Sequence, residues 1–403
     1  MTWSDYLPFW PFVVSPALWL ALTLVIAVLV SETMVRYLRL PRIVGYIGIG
    51  LLLGPGGLSL IPHVPAAEWR LVVDLALGIL LFELGSRVNL RWLKANPWIA
   101  GTSLLEALAT FAAVFSLLTW FDVPGVAAAV TATITIATSP AIIVRMVTES
   151  RAQGQVTDRL LLMTALNCIY AVTFHKLAVA GMHGETGAGF IHTVLPPLYL
   201  LGGSALLAWL FGITFERIHH HLGQHEETFS FVLFGMIAFA TIMAATLKLS
   251  PVLVLLAAGL ITRFRRRRAP TFPPHFGSAG AVLVVLMFIA NGLAADLAGL
   301  RDSFLLVLLV ITVRGIAKIL AVLALANYSG IGVRQALALG VGLMPMSSVA
   351  LLLTLDTGTF FPGFASGLGL MLMSCIVILE LAGPFLVQGA LHKAGETPEV
   401  KRT

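Results

Sequence analysis

Apolar stretches of about twenty residues follow one another along almost the whole chain, separated by short polar connectors. A helix needs about 20 mostly apolar residues to cross a bilayer. Two of the connectors, FDVPG (121–125) and HGETGAG (183–189), are rich in turn residues. The pattern predicts thirteen membrane-spanning helices, near residues 15–35, 42–61, 70–86, 97–120, 124–147, 158–181, 190–215, 228–247, 250–264, 277–295, 302–327, 334–355 and 362–390.

The composition excludes a soluble protein. Of the 403 residues, 58% are hydrophobic and 11% are charged, against roughly 45–50% and about 25% in soluble domains. The two cysteines, Cys168 and Cys375, lie in apolar stretches, so the sequence indicates neither a disulfide framework nor a metal motif. No nucleophile–base pair or metal-ligand spacing stands out. We therefore expect a protein that is not an enzyme and that carries no cofactor.

Basic residues are distributed asymmetrically between the connectors. The loops after odd-numbered spans, together with the polar end, hold nineteen of them, whereas the loops after even-numbered spans hold three. Because cytoplasmic loops are rich in Lys and Arg, this predicts an external N-terminus and a cytoplasmic C-terminus in a bacterial inner membrane. The net charge of +6 then reflects the Lys and Arg residues of the cytoplasmic loops. Residues 393–403 are expected to be a short cytoplasmic tail, and the run Arg265–Arg268 is expected to contact anionic lipids.

Two spans contain interruptions in matching positions. The fifth reads VTATITIATSPAIIV (130–144), with Thr138, Ser139 and Pro140 at mid-span, and the twelfth reads GVGLMPMSSVALLL (340–353), with Pro345 before Ser347 and Ser348. Proline removes a backbone donor and breaks a helix unless neighbours compensate. Paired interruptions in corresponding halves of a chain indicate a transporter built from inverted repeats. The alternative is a pair of ordinary proline kinks.

Several segments resemble the cation:proton antiporter superfamily, especially its sodium/hydrogen exchanger-like, potassium-efflux branch. LPRIVGYIGIGLLLGPGGLSLI (40–61) is similar to the family's LP-x-x-x-GY…G-x-x-x-GP stretch, and LGILLFELGSRVNLRWLK (77–94) to its third-span segment. LSPVLVLLAAGLITR (249–263), FIANGLAADLAGL (288–300) and ALALGVGLMPMSSVALLL (336–353) are similar to later segments in the same order.

The resemblance implies an all-α polytopic membrane protein with the sodium/proton antiporter fold, in which two crossed, broken helices lie in a mobile core beside a dimerisation panel. The transmembrane domain is expected to cover 1–392, with inverted repeats at about 15–181 and 228–390 and a linker helix at about 190–215. A homodimer is expected, as in the relatives.

The chain departs from this family at the ion site. Relatives carry a carboxylate in the sixth span, where this sequence has Asn167 and Cys168. The basic residue of the eleventh span is retained as Arg314, and Lys318 lies one turn further on the same face. The candidate ion- or substrate-binding residues are Asn167, Thr138, Ser139, Arg314, Glu106, Ser347, Ser348 and Cys168.

A charged side chain at the bilayer centre costs roughly 2.5–3.5 kcal/mol and needs a partner or a role. Glu106, in the fourth span, is expected either to pair with Arg314 or to be a displaced titratable group. Lys318 is expected to be a structural or snorkelling residue, Glu380 to serve helix packing, and Cys168 to be inert rather than to titrate.

These features predict a secondary transporter that exchanges K⁺ or Na⁺ for protons by alternating access. Two alternatives stay open because the sixth-span carboxylate is absent. One is a transporter of the same fold that moves another solute, conceivably an anion, without proton coupling. The other is a non-transporting membrane sensor.

Overall fold

The computed structural model describes residues 16–38, 40–61, 66–184, 190–222, 226–265, 277–294 and 297–398, and these residues contain helices and no strand. The helices of the first half of the chain are α1 (Pro16–Thr33, continued by a π-helical turn at Met34–Leu38), α2 (Arg42–Leu53), α3 (Ala66–Arg87), α4 (Leu90–Ala95), α5 (Pro97–Trp120), α6 (Gly125–Ile136), α7 (Pro140–Glu149), α8 (Gln155–Gly184) and α9 (Phe190–Leu222).

The helices of the second half are α10 (Glu226–Thr246), α11 (Pro251–Arg265), α12 (Gly277–Leu293), α13 (Leu297–Ala324), α14 (Val333–Gly342), α15 (Ser348–Phe360), α16 (Pro362–Phe364) and α17 (Leu370–Ala394), with a π-helical turn at Ala365–Gly369. Every predicted span coincides with a helix or with a pair of half-helices. The second span is shorter than predicted, because α2 ends at Leu53 where Gly54 and Pro55 begin a turn.

Both predicted interruptions are present. The fifth span consists of α6 and α7, joined by the extended residues Ala137–Ser139, and the twelfth consists of α14 and α15, joined by residues 343–347. Pro140 occupies the first turn of α7, where its missing amide hydrogen costs no helical hydrogen bond. The break therefore falls immediately before the proline, and the expectation of two broken helices is confirmed.

Helix contacts of the first half of the chain recur in the same order in the second half. In the first half, α5 packs on α6 and α6 packs on α8, and in the second half α13 packs on α14 and α14 packs on α17. The crossing of α2 with α12 has its counterpart in the crossing of α3 with α11. The predicted spans to which corresponding helices belong differ in number by seven, as an inverted repeat requires.

Glycines make both of the latter crossings close. A Cβ on Gly50 of α2 would overlap the carbonyl oxygen of Ile289, and a Cβ on Gly292 of α12 would overlap the carbonyl oxygen of Ile47. A Cβ on Gly85 of α3 would likewise overlap the backbone of α11, and a Cβ on Gly259 of α11 would overlap the backbone of α3. Small residues let the backbones of membrane helices approach closely, so α2, α3, α11 and α12 form one tightly packed panel, to which α1 also contributes.

The outer surface of the helices is apolar. Within the described part of the chain, seven helical stretches are long and apolar enough to cross a membrane, and four shorter apolar helices accompany them. Large side chains such as Leu29, Phe239 and Leu305 are more than 60% exposed. A soluble protein rarely exposes so much contiguous apolar surface, and the chain is an integral membrane protein.

Candidate functional site

The extended segments of the two broken helices cross and bond to each other in the interior of the protein. The amide of Ser139 donates to the carbonyl oxygen of Pro345 at 2.9 Å, and the Thr138 hydroxyl donates to the carbonyl oxygen of Leu343 at 3.1 Å. The hydroxyls of Ser139 and Ser347 are also hydrogen bonded. Backbone groups freed by the breaks are thus satisfied by the opposite segment, which is how non-helical backbone is tolerated at membrane depth.

Arg314 of α13 binds the carbonyl oxygens that the breaks leave free. Its Nε donates to Thr135 at 2.7 Å, its Nη1 to Met344 at 2.5 Å and its Nη2 to Ala137 at 2.8 Å. A cation beside the carboxyl ends of α6 and α14 is favoured by the helix dipoles, and a guanidinium has enough donors to serve three acceptors at once. Arg314 therefore holds the two breaks together.

Lys318, one turn further along α13, binds an all-oxygen site beside the same break. Its ammonium group forms a hydrogen-bonded ion pair with Oε1 of Glu106 on α5. It also donates to the carbonyl oxygen of Ile136 at 3.1 Å and to the Thr138 hydroxyl at 3.4 Å. Both charged side chains are fully buried.

This arrangement corrects one prediction, because Glu106 pairs with Lys318 rather than with Arg314. Of the two roles expected for Lys318, its complete burial in the ion pair excludes snorkelling and agrees with a structural role. The physical reason is the shape of the two cations. The planar, forked guanidinium of Arg314 matches the spread carbonyls of the break, whereas a compact ammonium suits a small site at one carboxylate.

Asn167 and Cys168 contact the break from α8. The amide nitrogen of Asn167 donates to the Thr138 hydroxyl at 3.1 Å, and its Oδ1 is buried with no hydrogen-bond partner in the part of the chain that the structure describes. The Cys168 thiol is fully buried and lies 3.6 Å from the carbonyl oxygen of Thr138. The amide thus presents an unused acceptor at the break, and the hydrogen bond of the thiol is to a backbone carbonyl.

Ser348, the first residue of α15, belongs to a neighbouring cluster. Its hydroxyl accepts from the side-chain amide of Asn291 on α12 at 3.4 Å, and the same amide donates to Oε1 of Glu380 on α17 at 2.7 Å. The structure thus brings seven of the eight predicted residues to the crossing and puts Ser348 beside it. Sequence reasoning missed Asn291, although a lone amide in the apolar stretch FIANGL was the available signal.

The crossing offers oxygen ligands suited to a small monovalent cation. They are Oε1 and Oε2 of Glu106, the Thr138 hydroxyl, the Ile136 carbonyl and Oδ1 of Asn167. Among the described residues, no group of three or more His, Cys, Asp or Glu side chains has the arrangement of a metal centre. The crossing thus contains one carboxylate, that of Glu106, together with neutral oxygen atoms.

Comparison with known proteins places this geometry in context. The family model described as "Sodium/hydrogen exchanger, transmembrane" matches residues 21–386. A curated relative, "K(+) efflux antiporter 2, chloroplastic" from Arabidopsis thaliana, is 25% identical over 320 residues, which are 75% of this chain but only 26% of the relative. The chain thus spans about a quarter of that protein.

Two solved structures of the sodium proton antiporter MjNhaP1 from Methanocaldococcus jannaschii have the same fold. The one determined at pH 8 is 18% identical with a TM-score of 0.67. The other, an electron-microscopy map, is 19% identical with a TM-score of 0.70. Each match covers 94% of this chain and 95% of the other.

Proposed function

Because this chain belongs to the sodium/hydrogen exchanger family, we propose that it exchanges a monovalent cation, K⁺ or Na⁺, for protons across a membrane by alternating access. The core that contains the two broken helices would move relative to the panel of α1, α2, α3, α11 and α12. The relatives named above are described as antiporters of sodium, potassium or protons, which supports a cation rather than an anion as the substrate.

One observation carries the proposal: the Lys318 ammonium is held by Glu106, Ile136 and Thr138 through oxygen atoms alone. An ammonium group and an alkali cation are both satisfied by carboxylate, hydroxyl and carbonyl oxygens, as carbonyls replace the hydration shell of K⁺ in channels. We propose that the transported cation takes the place of this ammonium, with Oδ1 of Asn167 as a further ligand.

The proton in this exchange comes from Lys318. When the site opens to water on one side, the ammonium releases a proton to solvent and becomes a neutral amine, and the cation then pairs with the Glu106 carboxylate. On the other side the cation leaves and the amine takes up a proton, which restores the ion pair. The site holds one positive charge against one carboxylate in both states, so no uncompensated charge is buried while the core moves.

The placement of the chain in the membrane is also a proposal. We propose a bacterial inner membrane, an external N-terminus and a cytoplasmic C-terminus, from the nineteen-to-three distribution of basic residues. We also propose a homodimer, as the family resemblance implies. Arg265, which forms an ion pair with Glu216 at 2.6 Å, begins the run expected to contact anionic lipids, and Arg266–Arg268 lie outside the described residues.

A second candidate is a transporter of the same fold that moves a solute without proton coupling. The observation that favours it is the pair Asn167 and Cys168, which leaves the sixth span without a carboxylate. In this case the Lys318–Glu106 ion pair would be a permanent brace, and the Lys318 ammonium would keep its proton throughout transport.

Reconstitution separates the two candidates. Purified protein in vesicles loaded with a pH-sensitive dye and buffered acidic inside should raise the internal pH when Na⁺ or K⁺ is added outside, with choline as the negative control. Glu106→Gln should abolish this response, and Glu32→Gln, a change at an exposed carboxylate, should keep it. Tracer cation uptake without any change of internal pH in the wild-type protein would establish the uncoupled candidate instead.

A further inference from the structure

Glu380 is a second buried carboxylate that the exchange at Lys318 does not use. It lies ten residues into α17 and is 1% exposed. Its Oε1 accepts the 2.7 Å hydrogen bond from Asn291, and its Oε2 is buried with no hydrogen-bond partner among the described residues. Among the described residues, the neutral amide of Asn291 is thus the only hydrogen-bond partner of this side chain.

No cation compensates Glu380 in the described part of the chain. Arg314 of α13 is occupied by three carbonyl oxygens, Lys318 by Glu106, and Arg42 of α2 by Glu32 and Glu149. The titratable and charged groups on the described elements packed against α17 are Arg314 and Lys318 (α13), Arg334 (α14), Arg145 and Glu149 (α7), Arg42 and Tyr46 (α2), Asp356 (α15), and Asp158, Arg159, Cys168, Tyr170, His175 and Lys176 (α8). None of the basic groups among them lies within ion-pair distance of Glu380.

An isolated carboxylate in an apolar interior must be neutralised, because the cost of burying its charge is far larger than that of any single hydrogen bond. A metal cation does not suit this place. Asn291 directs its N–H donors at both Oε1 of Glu380 and the Ser348 hydroxyl, and the amino end of α15 adds partial positive charge. A proton avoids both difficulties, because it binds Oε2 of Glu380, which has no hydrogen-bond partner among the described residues.

We propose that Glu380 is a proton-binding site, separate from the crossing and occupied by a proton in this conformation. The inference deepens the proposed function and rests on it, because it assigns a second proton to the transport cycle. The step is the addition of H⁺ to the ionised carboxylate, which gives the neutral acid, and the reverse step returns the proton to water.

The position of Glu380 connects this proton to the movement of the core. Asn291 belongs to α12, which packs with α1, α2 and α3, whereas Glu380 and Ser348 belong to the same body as the crossing. Gly383, one turn beyond Glu380, lies so close to the crossing that a Cβ there would be 2.9 Å from Pro345 and 3.0 Å from Ile142. The Asn291 amide therefore joins the panel to the core.

The strength of this link depends on the charge of Glu380. Hydrogen bonds to an ionised carboxylate are roughly twice as strong as those between neutral groups. Loss of the proton therefore tightens the bond from Asn291 and holds the core against α12, whereas protonation weakens it. The core moves when Glu380 carries a proton, and transport should slow as the pH rises through the titration of Glu380.

Infrared spectroscopy tests the proton directly. Purified full-length protein should show the carbonyl stretch of a protonated carboxylic acid, and this absorption should be lost in Glu380→Gln and retained in both Glu106→Gln and Glu32→Gln. Because Gln has the shape of the neutral acid, the Glu380→Gln protein should unfold at the wild-type temperature. An identical carbonyl absorption in the wild-type and Glu380→Gln proteins would overturn the proposal.

Flux measurements test the link to movement. Above the titration point, loss of the Glu380 proton should lower wild-type transport by up to about tenfold for every pH unit relative to Glu380→Gln, whose remaining pH dependence comes from the exchange at Lys318. Glu380→Asp should restore the steep dependence. An equally steep dependence in Glu380→Gln would refute the link. Absence of exchange by the wild-type protein would count against the proposed function alone, because the infrared result does not depend on it.

Discussion

Two buried cations one turn apart on α13 have different tasks because their side chains differ in shape. Arg314 distributes three hydrogen bonds over carbonyl oxygens of both breaks, and so it fixes the backbone geometry of the crossing. Lys318 places its charge on the single carboxylate of Glu106. Under the proposed exchange, the positive charge at 314 is a permanent brace, whereas the one at 318 gives way to the transported cation.

Breaking the Lys318–Glu106 pair should be expensive. Glu106→Gln and Lys318→Met each leave one charge buried without its partner, which costs about 3–5 kcal/mol, and the double substitution should cost less than the sum of the two. The free energy of unfolding of the four proteins in detergent measures this coupling. Arg70→Gln, which removes the exposed cation paired with Asp356, should cost no more than about 1 kcal/mol. Additive effects of the two buried substitutions would contradict a direct pair.

Asn167 and Cys168 should differ in importance. The hydrogen bond of the Cys168 thiol is a long one, 3.6 Å, to a backbone carbonyl, so Cys168→Ala should keep most of the transport rate. Asn167→Ala removes both the hydrogen bond to Thr138 and the unused amide oxygen, and it should impair transport, as should Ser139→Ala. Tracer flux at matched expression measures both effects. Loss of flux in Cys168→Ala would mean that the thiol takes part.

The sequence predicted the residues of the crossing better than their pairing. Pro140 and Pro345 forecast the two breaks because proline acts on its own backbone. The predicted partner of Glu106 was wrong. Arg314 and Lys318 share one helix face, and the choice between them depends on the positions of carbonyl groups that only the folded breaks define. Asn291 was missed because its partners, Ser348 and Glu380, come from two distant helices.

Among the helices, the panel and the core are built from different residues. The panel helices meet through paired glycines that bring backbones together, and the core helices open at prolines and hydroxyl residues. The family resemblance expected from segments such as 40–61 is confirmed by the match over 21–386. Those segments contain the panel glycines Gly50 and Gly292, so much of the recognisable pattern has a packing cause.

Alanine substitutions should distinguish glycines in contact from glycines in open space. In Gly50→Ala and Gly292→Ala the new methyl group meets a backbone carbonyl of the opposite helix, which should lower the stability by about 1–3 kcal/mol. Gly48→Ala, on α2 with no atom near the new methyl group, should be neutral or stabilising by up to about 1 kcal/mol. Thermal unfolding in detergent compares the three, and equal effects would contradict the close crossing.

At the scale of the whole molecule, the inverted repeat fixes how the chain enters the membrane. Corresponding helices differ by seven, an odd number, in their predicted span numbers, so they cross the membrane in opposite directions, and the crossing is the place where the two halves meet. The division of the chain into repeats at about 15–181 and 228–390 stays a prediction. The distribution of basic residues then decides which side is the cytoplasm.

Topology mapping checks this assignment. A reporter fused after Thr403 should be cytoplasmic, and a cysteine introduced at position 186 should react with an impermeant reagent from outside; both positions lie outside the described residues. The native Cys168 and Cys375 are buried, so the background should be low. Opposite results at both positions would contradict the predicted orientation.

A transported cation that replaces the Lys318 ammonium at Glu106 should release the proton of that ammonium. Calorimetric titration of the purified protein with Na⁺ or K⁺, in two buffers of different ionisation enthalpy, counts the protons released for each cation bound. About one proton should be released for each cation bound, and Glu106→Gln should bind no cation. Cation binding that releases no proton, or that persists unchanged in Glu106→Gln, would contradict the proposed exchange.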